Sequence, residues 1–467
     1  MRRRWSPTSG SGRSVGRAAR EPVSVRAPGQ RRSGLRRSWS GQMIQSVEQA
    51  QVDRVDARAI EAVAVAARAA QPQLAAAPGE QRRAALLAAA RELRASRAAI
   101  LEANERDVAD AVDLTSAQRD RLRLDDARIE QMAQGVEAVA AQPDVVGRVV
   151  DGWTLPNGLR VRRVRVPLGV VGVIYENRPN VTADAAALAL ASGNAIVLRG
   201  SSQALASNRV IRGAIARGVA SVGLPEALVG LVEDTSREGA RAFMRLEGII
   251  DVLVPRGGPG LLRAVRDEAR VPVIIDGDGN CHVYVDRAAD LAKAAAIVEN
   301  AKLQRPGVCN AAETLLVHAA VADEFLPQLA ERLGSCELRG DERTRALVPR
   351  ALPATAADWE TEYLAPILAV RVVDTLEDAI AHIRRYSSGH SEAIVTEDLA
   401  AATRFTGEVD AAAVLVNAST RFVDGGQLGF GAEIGISTQK LHWRGPMGTE
   451  ALTSVKLVIW GDGHVRT

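Results

Sequence analysis

From about residue 47 to residue 141 apolar positions recur every three or four residues, as in Ala84-Ala85-Leu86-Leu87 and Ala90-Leu93, with charged residues between them. This spacing predicts a cluster of amphipathic helices. The period then drops to two: residues 149–166 alternate on either side of Asn157-Gly158, a turn dipeptide that joins two strands into a hairpin. After Pro167 short apolar runs at Gly169–Tyr175, Ala195–Leu198, Leu228–Val232, Ile249–Val254 and Pro272–Ile275 are separated by Ala-rich helical stretches. Beyond Cys309 the alternation resumes, with strands expected near Thr314–Val317, Ile367–Val373, Ala393–Val395 and Val414–Asn417. The last run, Ala451–Trp460, reads as a strand whose partner is the 149–166 hairpin.

Strands divided by helices are the mark of βαβ crossovers and parallel sheets, so the fold class is α/β with two parallel-sheet domains and a small β arm. The expected divisions are a leader at 1–42, a Rossmann-like dinucleotide-binding domain at 43–148 and 167–281, and a second domain at 282–445. The arm takes 149–166 and 446–467 and serves oligomerisation, since unpaired strand edges invite a second copy. A dinucleotide binds at the carboxyl ends of strands in a sheet of this kind.

Composition narrows the function. The chain has 467 residues, 25% charged and 47% hydrophobic, ordinary for a globular protein of two or three domains. Residues 1–42 carry eleven Arg against one Glu, a balance of +10, so the +3 of the whole chain leaves −7 on residues 43–467. That leader is rich in Ser, Gly and Pro and is expected to be disordered. It reads as a nucleic-acid arm, a transit-type segment, or translated sequence ahead of a start at Met43, the last being favoured. Its Gly10-Ser11-Gly12 lacks a preceding strand and is discarded as a dinucleotide fingerprint. Cys281, Cys309 and Cys336 form neither an even disulfide set nor a CxxC pair, which points to a reduced cytoplasmic protein. The six histidines show no metal-binding spacing, and no apolar run is long enough to span a membrane, so neither a metal nor a membrane partner is expected.

Cys309 carries the candidate chemistry. It ends Gln304-Arg305-Pro306-Gly307-Val308-Cys309, after a Gly turn and before an apolar run, a setting in which backbone N–H groups can activate a thiolate that attacks acyl carbon. Read alone, it is equally a small buried hydrophobe. Cys281, beside His282, is assigned a structural role, because neighbours on a strand point to opposite faces.

Two α/β domains with this thiol at the start of the second resemble the aldehyde dehydrogenase superfamily. Arg199 stands where that superfamily carries a ribose-binding Lys, Arg256-Gly257-Gly258-Pro259-Gly260 matches its Gly turn before a helix, and Glu362-Tyr363-Leu364-Ala365-Pro366 resembles the element whose Glu holds the nicotinamide ribose. The segments 167–182, 389–397, 417–426, 429–440 and 444–448 are similar to the gamma-glutamyl phosphate reductases, across essentially all of 43–467.

The resemblance implies an NADPH-dependent reduction of L-glutamyl 5-phosphate to L-glutamate 5-semialdehyde through a Cys309 thioester, the second step of proline biosynthesis. It implies Cys309 and an oxyanion donor, Asn180 or else Asn177, as catalytic residues. Arg199, Gly257, Gly258 and Glu362 would bind the cofactor, and Arg178, Arg421 and Arg444 are candidates for the anionic ends of the substrate. Arg199 favours NADP over NAD, since a guanidinium pairs bidentately with a ribose phosphate. Where hydrolytic relatives have a Glu base, this chain reads Asp276-Gly277-Asp278-Gly279-Asn280, which suits a thioester protected from hydrolysis; Asp278 is read as a turn residue. A homo-oligomer and association with glutamate 5-kinase are the expected partners. The alternatives are a general aldehyde dehydrogenase of a small aldehyde, or a nucleic-acid-binding protein with an inactive enzyme fold.

Overall fold

The computed structural model describes residues 57–466 apart from Asp113 and Asp276. The leader at 1–42, the start at Met43, the helical pattern over 47–56 and Asp276 therefore lie outside the described residues. From Ala57 the expected helices follow: Ala57–Ala76, Gly79–Ala95, Arg97–Asp110, Ser116–Leu122 and Asp126–Ala140. The first buries Ile60, Ala64, Ala67, Ala70 and Leu74, one stripe at the helical period. Short side chains let helices approach closely: a Cβ on Gly218, in the helix Leu205–Ala220, would strike the backbone of Ala88 and Ala89.

The first sheet is parallel, in the order Val229–Leu231, Ala195–Arg199, Val170–Tyr175, Val252–Arg256. Helices cover both faces, so Val170–Tyr175 and Ala195–Arg199 are buried throughout, which explains their continuous apolar sequence. The chain starts at Val170–Tyr175, winds outward on one side through two strands, then crosses back to place Val252–Arg256 on the other side. This reversal opens a crevice at the carboxyl ends of Val170–Tyr175 and Val252–Arg256.

The second sheet has seven parallel strands in the order Leu352–Pro353, Glu337–Gly340, Ile367–Val373, Ala312–His318, Cys281–Val285, Ser391–Val395, Ala413–Val416. Cys309 lies just before the amino end of Ala312–His318. A third, antiparallel sheet joins the hairpin strands Val149–Thr154 and Arg160–Pro167 to Thr453–Trp460, turning at Gly158 with φ 92°. Trp153, Val455, Leu457, Ile459 and Trp460 on this sheet are exposed.

The sequence pattern and the fold differ in places. Pro272–Ile275 contributes one bridge, Val273 to Leu253, rather than a strand, and the strand expected at Ile249–Val254 spans Val252–Arg256. Cys281–Val285, Glu337–Gly340 and Leu352–Pro353 are strands without a forecast counterpart, and the first of these puts a member of the second sheet ahead of Cys309. The chain also returns late to its first core. Ile434, Met447, Ala451 and Leu452 are buried among the residues of the first sheet, although the pattern had given Ile434 to the second domain and the other three to the arm. The Leu452 carbonyl accepts from Asn194 Nδ2 at 2.8 Å and from the Leu168 amide at 3.3 Å.

Candidate active site

The helix Leu291–Leu303 cannot run on into Pro306, and the chain turns through Gly307 before Ala312–His318 begins. Cys309 is partly exposed on this turn. Its carbonyl accepts from the Cys281 thiol at 3.2 Å, and the backbone of Gly279 crosses so close to it that a Cβ there would collide with the Cys309 carbonyl and Cα. Only glycine allows that crossing. Asn310 donates to the Val423 carbonyl at 2.9 Å and accepts from Arg421 Nη1, while Arg421 Nε donates to Gln304 Oε1 at 2.9 Å. Arg121, on the helix Ser116–Leu122, donates to the Gly307 carbonyl at 3.1 Å. The turn is thus tied at both flanks of the thiol.

Burial pushes the Cys309 thiol up to about 11; Arg256 is the largest opposing influence, Glu433 and Glu362 add to the rise, and Arg178 works against it. The resting sulfur is protonated at neutral pH. Arg178 itself is pulled down to about 10 by burial, and the like charges of Arg256, Arg121 and Arg305 pull the same way. Burial lifts Glu433 to about 7, with Asp424 contributing and Arg256 opposing. Glu362 is likewise raised by burial, against the Gly279 N–H that its Oε1 accepts at 2.9 Å. Glu362 and Cys309 are therefore linked through one residue, Gly279.

Across the crevice, Gly257 and Gly258 end Val252–Arg256 and open the helix Pro259–Glu268. A Cβ on Gly257 would lie 2.7 Å from Glu176 Oε2, and the Gly258 N–H donates to that same oxygen at 2.9 Å. An anion already stands on the turn's amide, as the amino end of a helix favours. Arg199 is buried at the end of Ala195–Arg199, donating from Nε to the Asp234 carbonyl at 3.3 Å and from Nη2 to the Ser236 carbonyl at 2.7 Å. Two of its five N–H donors are engaged in this way.

Asn180 is exposed as the first residue of the helix Asn180–Ala191, and its amide donates to Asp184 Oδ2 at 3.0 Å. Asn177 is buried at φ 38°, with its side-chain oxygen accepting from Ser201 Oγ at 2.7 Å. Among the arginines, Arg178 is brought to the site. Arg421 holds the Cys309 turn through Gln304 and Asn310. Arg444 donates to Asp410 Oδ1 at 2.6 Å and to the Asp410 carbonyl at 3.0 Å.

The pattern of the sequence had not singled out Arg121, Arg256 or Glu433. Arg256 offered one signal, its place immediately before Gly257 at a strand's carboxyl end; Arg121 looks like any charged residue on a helix surface. Among the described residues no group of three or more His, Cys, Asp or Glu is arranged to hold a metal ion, and no helix is long and apolar enough to cross a membrane.

The chain matches the model of the aldehyde dehydrogenase family over residues 40–348 and 347–456. It is 57% identical over 386 residues to the gamma-glutamyl phosphate reductase of Moorella thermoacetica, covering 82% of this chain and 92% of that protein. With that of Thermobifida fusca it shares 55% identity over 413 residues, 88% of this chain and 99% of the other. The crystal structure of the gamma-glutamyl phosphate reductase from Thermotoga maritima superposes with a TM-score of 0.85 at 49% identity, covering 87% of this chain and all 100% of that one. An acetylating aldehyde dehydrogenase from Geobacillus thermoglucosidasius, 17% identical with a TM-score of 0.67 over 88% of this chain and 98% of that one, shares the fold.

Proposed function

The chain belongs to the aldehyde dehydrogenase family, and from that premise we propose that it reduces L-glutamyl 5-phosphate to L-glutamate 5-semialdehyde with release of phosphate, as its relatives' names indicate. The observation that carries the reading is the Cys309 turn, pinned at the amino edge of the second sheet within the electrostatic reach of Arg178 and Arg256 from the crevice of the first.

Enzymes of the family use a nicotinamide cofactor. The residues here fit one: the Gly257-Gly258 turn is a cradle that a Cβ would fill, and its amide already holds a carboxylate oxygen. Gly257 and Gly258 would take a cofactor phosphate, Glu362 a ribose hydroxyl, and Arg199 the additional phosphate of NADP through its remaining Nη1. When bound, the reduced nicotinamide supplies the hydride that converts an acylated Cys309 to the aldehyde level.

The chain's own residues do the rest. The Cys309 sulfur, once deprotonated, attacks the acyl carbon; the carbon–oxygen bond to phosphate breaks and phosphate leaves with the electron pair, giving a thioester. The positive charges of Arg178 and Arg256 attract the anionic substrate and favour the thiolate, offsetting the burial that keeps the sulfur protonated. The Cys309 backbone N–H, together with the amide of Asn180, serves the oxyanion that forms on the way in and on the way out. Reduction leaves a thiohemiacetal, which expels the sulfur as thiolate and frees the aldehyde. Around the site Arg121 and Arg421 hold the turn in register.

The same reading places the enzyme in the cytoplasm, with a homo-oligomer formed through the exposed arm sheet and with glutamate 5-kinase as a partner that passes on an unstable acyl phosphate. Turnover of glutamate semialdehyde with NADP tests the reaction in reverse. The rate should depend on phosphate, and Cys309→Ala should lower it about 10⁴-fold or more, as loss of a nucleophile does elsewhere. Turnover without phosphate or arsenate would instead identify a hydrolytic aldehyde dehydrogenase.

A further inference from the structure

Lys302 and Glu313 are both fully buried, and Lys302 Nζ lies 2.5 Å from Glu313 Oε2. They flank the nucleophile in sequence, Lys302 in the last turn of Leu291–Leu303 and Glu313 second in Ala312–His318. Together they close the base of the loop that carries Cys309. The other carboxylate oxygen, Glu313 Oε1, accepts the Leu364 N–H at 3.3 Å, and the Lys302 ammonium stands 5.9 Å from the centre of the Tyr363 ring.

Leu364 has φ 52°, a left-handed conformation that a leucine rarely adopts and that needs an external anchor. Two residues earlier, Glu362 grips the Gly279 N–H, and Gly279 presses on the Cys309 backbone. Two charges taken out of water gain little over an apolar pair of the same volume, so stability alone does not account for them. What they join does: one ion pair touches both the root of the nucleophile turn and the turn that presents Glu362.

We propose that Lys302 and Glu313 form a positioning clasp, in which Lys302 orients the Glu313 carboxylate and Glu313 anchors Leu364, fixing Glu362 in register with Cys309. The inference deepens the proposed function and rests on its assignment of Cys309 and Glu362 to one site. Neither clasp residue touches a reacting atom; both act through others.

The test compares two uncharged double variants. Lys302→Met/Glu313→Gln keeps an oxygen acceptor for the Leu364 N–H, whereas Lys302→Met/Glu313→Leu removes it at similar volume. Thermal melting establishes that each is folded. Hydrogen exchange of the peptide spanning residues 360–366, measured without cofactor or substrate, reads the anchor directly. The Leu variant should lose protection over 360–366 and about 10² in kcat, the scale of effect expected when reacting groups shift by about 1 Å, while the Gln variant, which keeps the acceptor but not the Lys302 that orients it, recovers part of both. Folded variants that exchange and turn over alike, at the parent's level, overturn the clasp. Cys309→Ala assayed beside them separates the two ideas, since its retained turnover would reject the underlying reading whatever the clasp variants do. Should a single-site Lys302→Met protein fail to fold, the double variants still decide the question.

Discussion

The turn around Cys309 is fixed from several directions, by the Cys281 thiol, the Gly279 backbone, Arg121 and the Arg421–Asn310 pair, whereas the Gly257-Gly258 turn across the crevice is met by a single carboxylate, Glu176. On the proposed function, one turn delivers a sulfur to the same point in every cycle, and misplacement there raises the barrier directly. On the same reading the other admits a dinucleotide and releases it, and its amide is met by the Glu176 carboxyl group. Rigidity and openness are divided between the two sheets, and the crevice lies where the two requirements meet.

The contrast can be broken most forcefully on the rigid side. Arg421→Ala removes the link between Gln304 and Asn310, and kcat should fall about 10²-fold with the cofactor KM nearly unchanged; an equal rise in KM would mean that Arg421 contacts ligand instead. The thiol gives a second measure. Only the thiolate is alkylated, and burial holds the Cys309 thiol up to about 11, so iodoacetamide labelling mapped to Cys309 should accelerate about tenfold per pH unit between about pH 7 and 10. A plateau near neutral pH would show that the arginines dominate over burial. The smallest effect belongs to the open side: Glu176→Gln withdraws a negative charge from the amino end of Pro259–Glu268, and NADPH should bind about two- to fivefold more tightly by fluorescence titration. Weaker binding would assign Glu176 to the cofactor itself rather than to the place it keeps.

How far the sequence revealed this arrangement depends on the range of the interactions. Ile367–Val373 was legible residue for residue, because its apolar run is interrupted only by the half-buried Arg371. The hairpin was legible from Asn157-Gly158, whose turn needs a positive φ at the glycine. Cys281–Val285 was less so: it is five residues long, begins with Cys and His, and buries His282 with its Nδ1 3.0 Å from Glu392 Oε2, a contact that only the assembled sheet creates. The side chains gathered around the thiol follow the same rule. Cys309, Glu362 and the glycines stood out through local motifs and a family resemblance. Arg121 contacts Gly307 across 186 positions of chain, and no window of sequence around either residue contains that contact. Arg421 and Arg444 looked alike as free cations, and only folded geometry assigns one to Asn310 and the other to Asp410.

The late return of Ile434, Met447, Ala451 and Leu452 into the first core sets an order on assembly. As the chain emerges from a ribosome, the helices and four strands of the first lobe are made early, yet four of the side chains buried in its core are synthesised near the end. Until then the lobe lacks these buried contacts and the Leu452 carbonyl that accepts from Asn194. Halves of this protein expressed apart should be poor folders, and a stop codon shortly before Met447 should cost the amino-terminal lobe its cooperativity as surely as a lesion inside it.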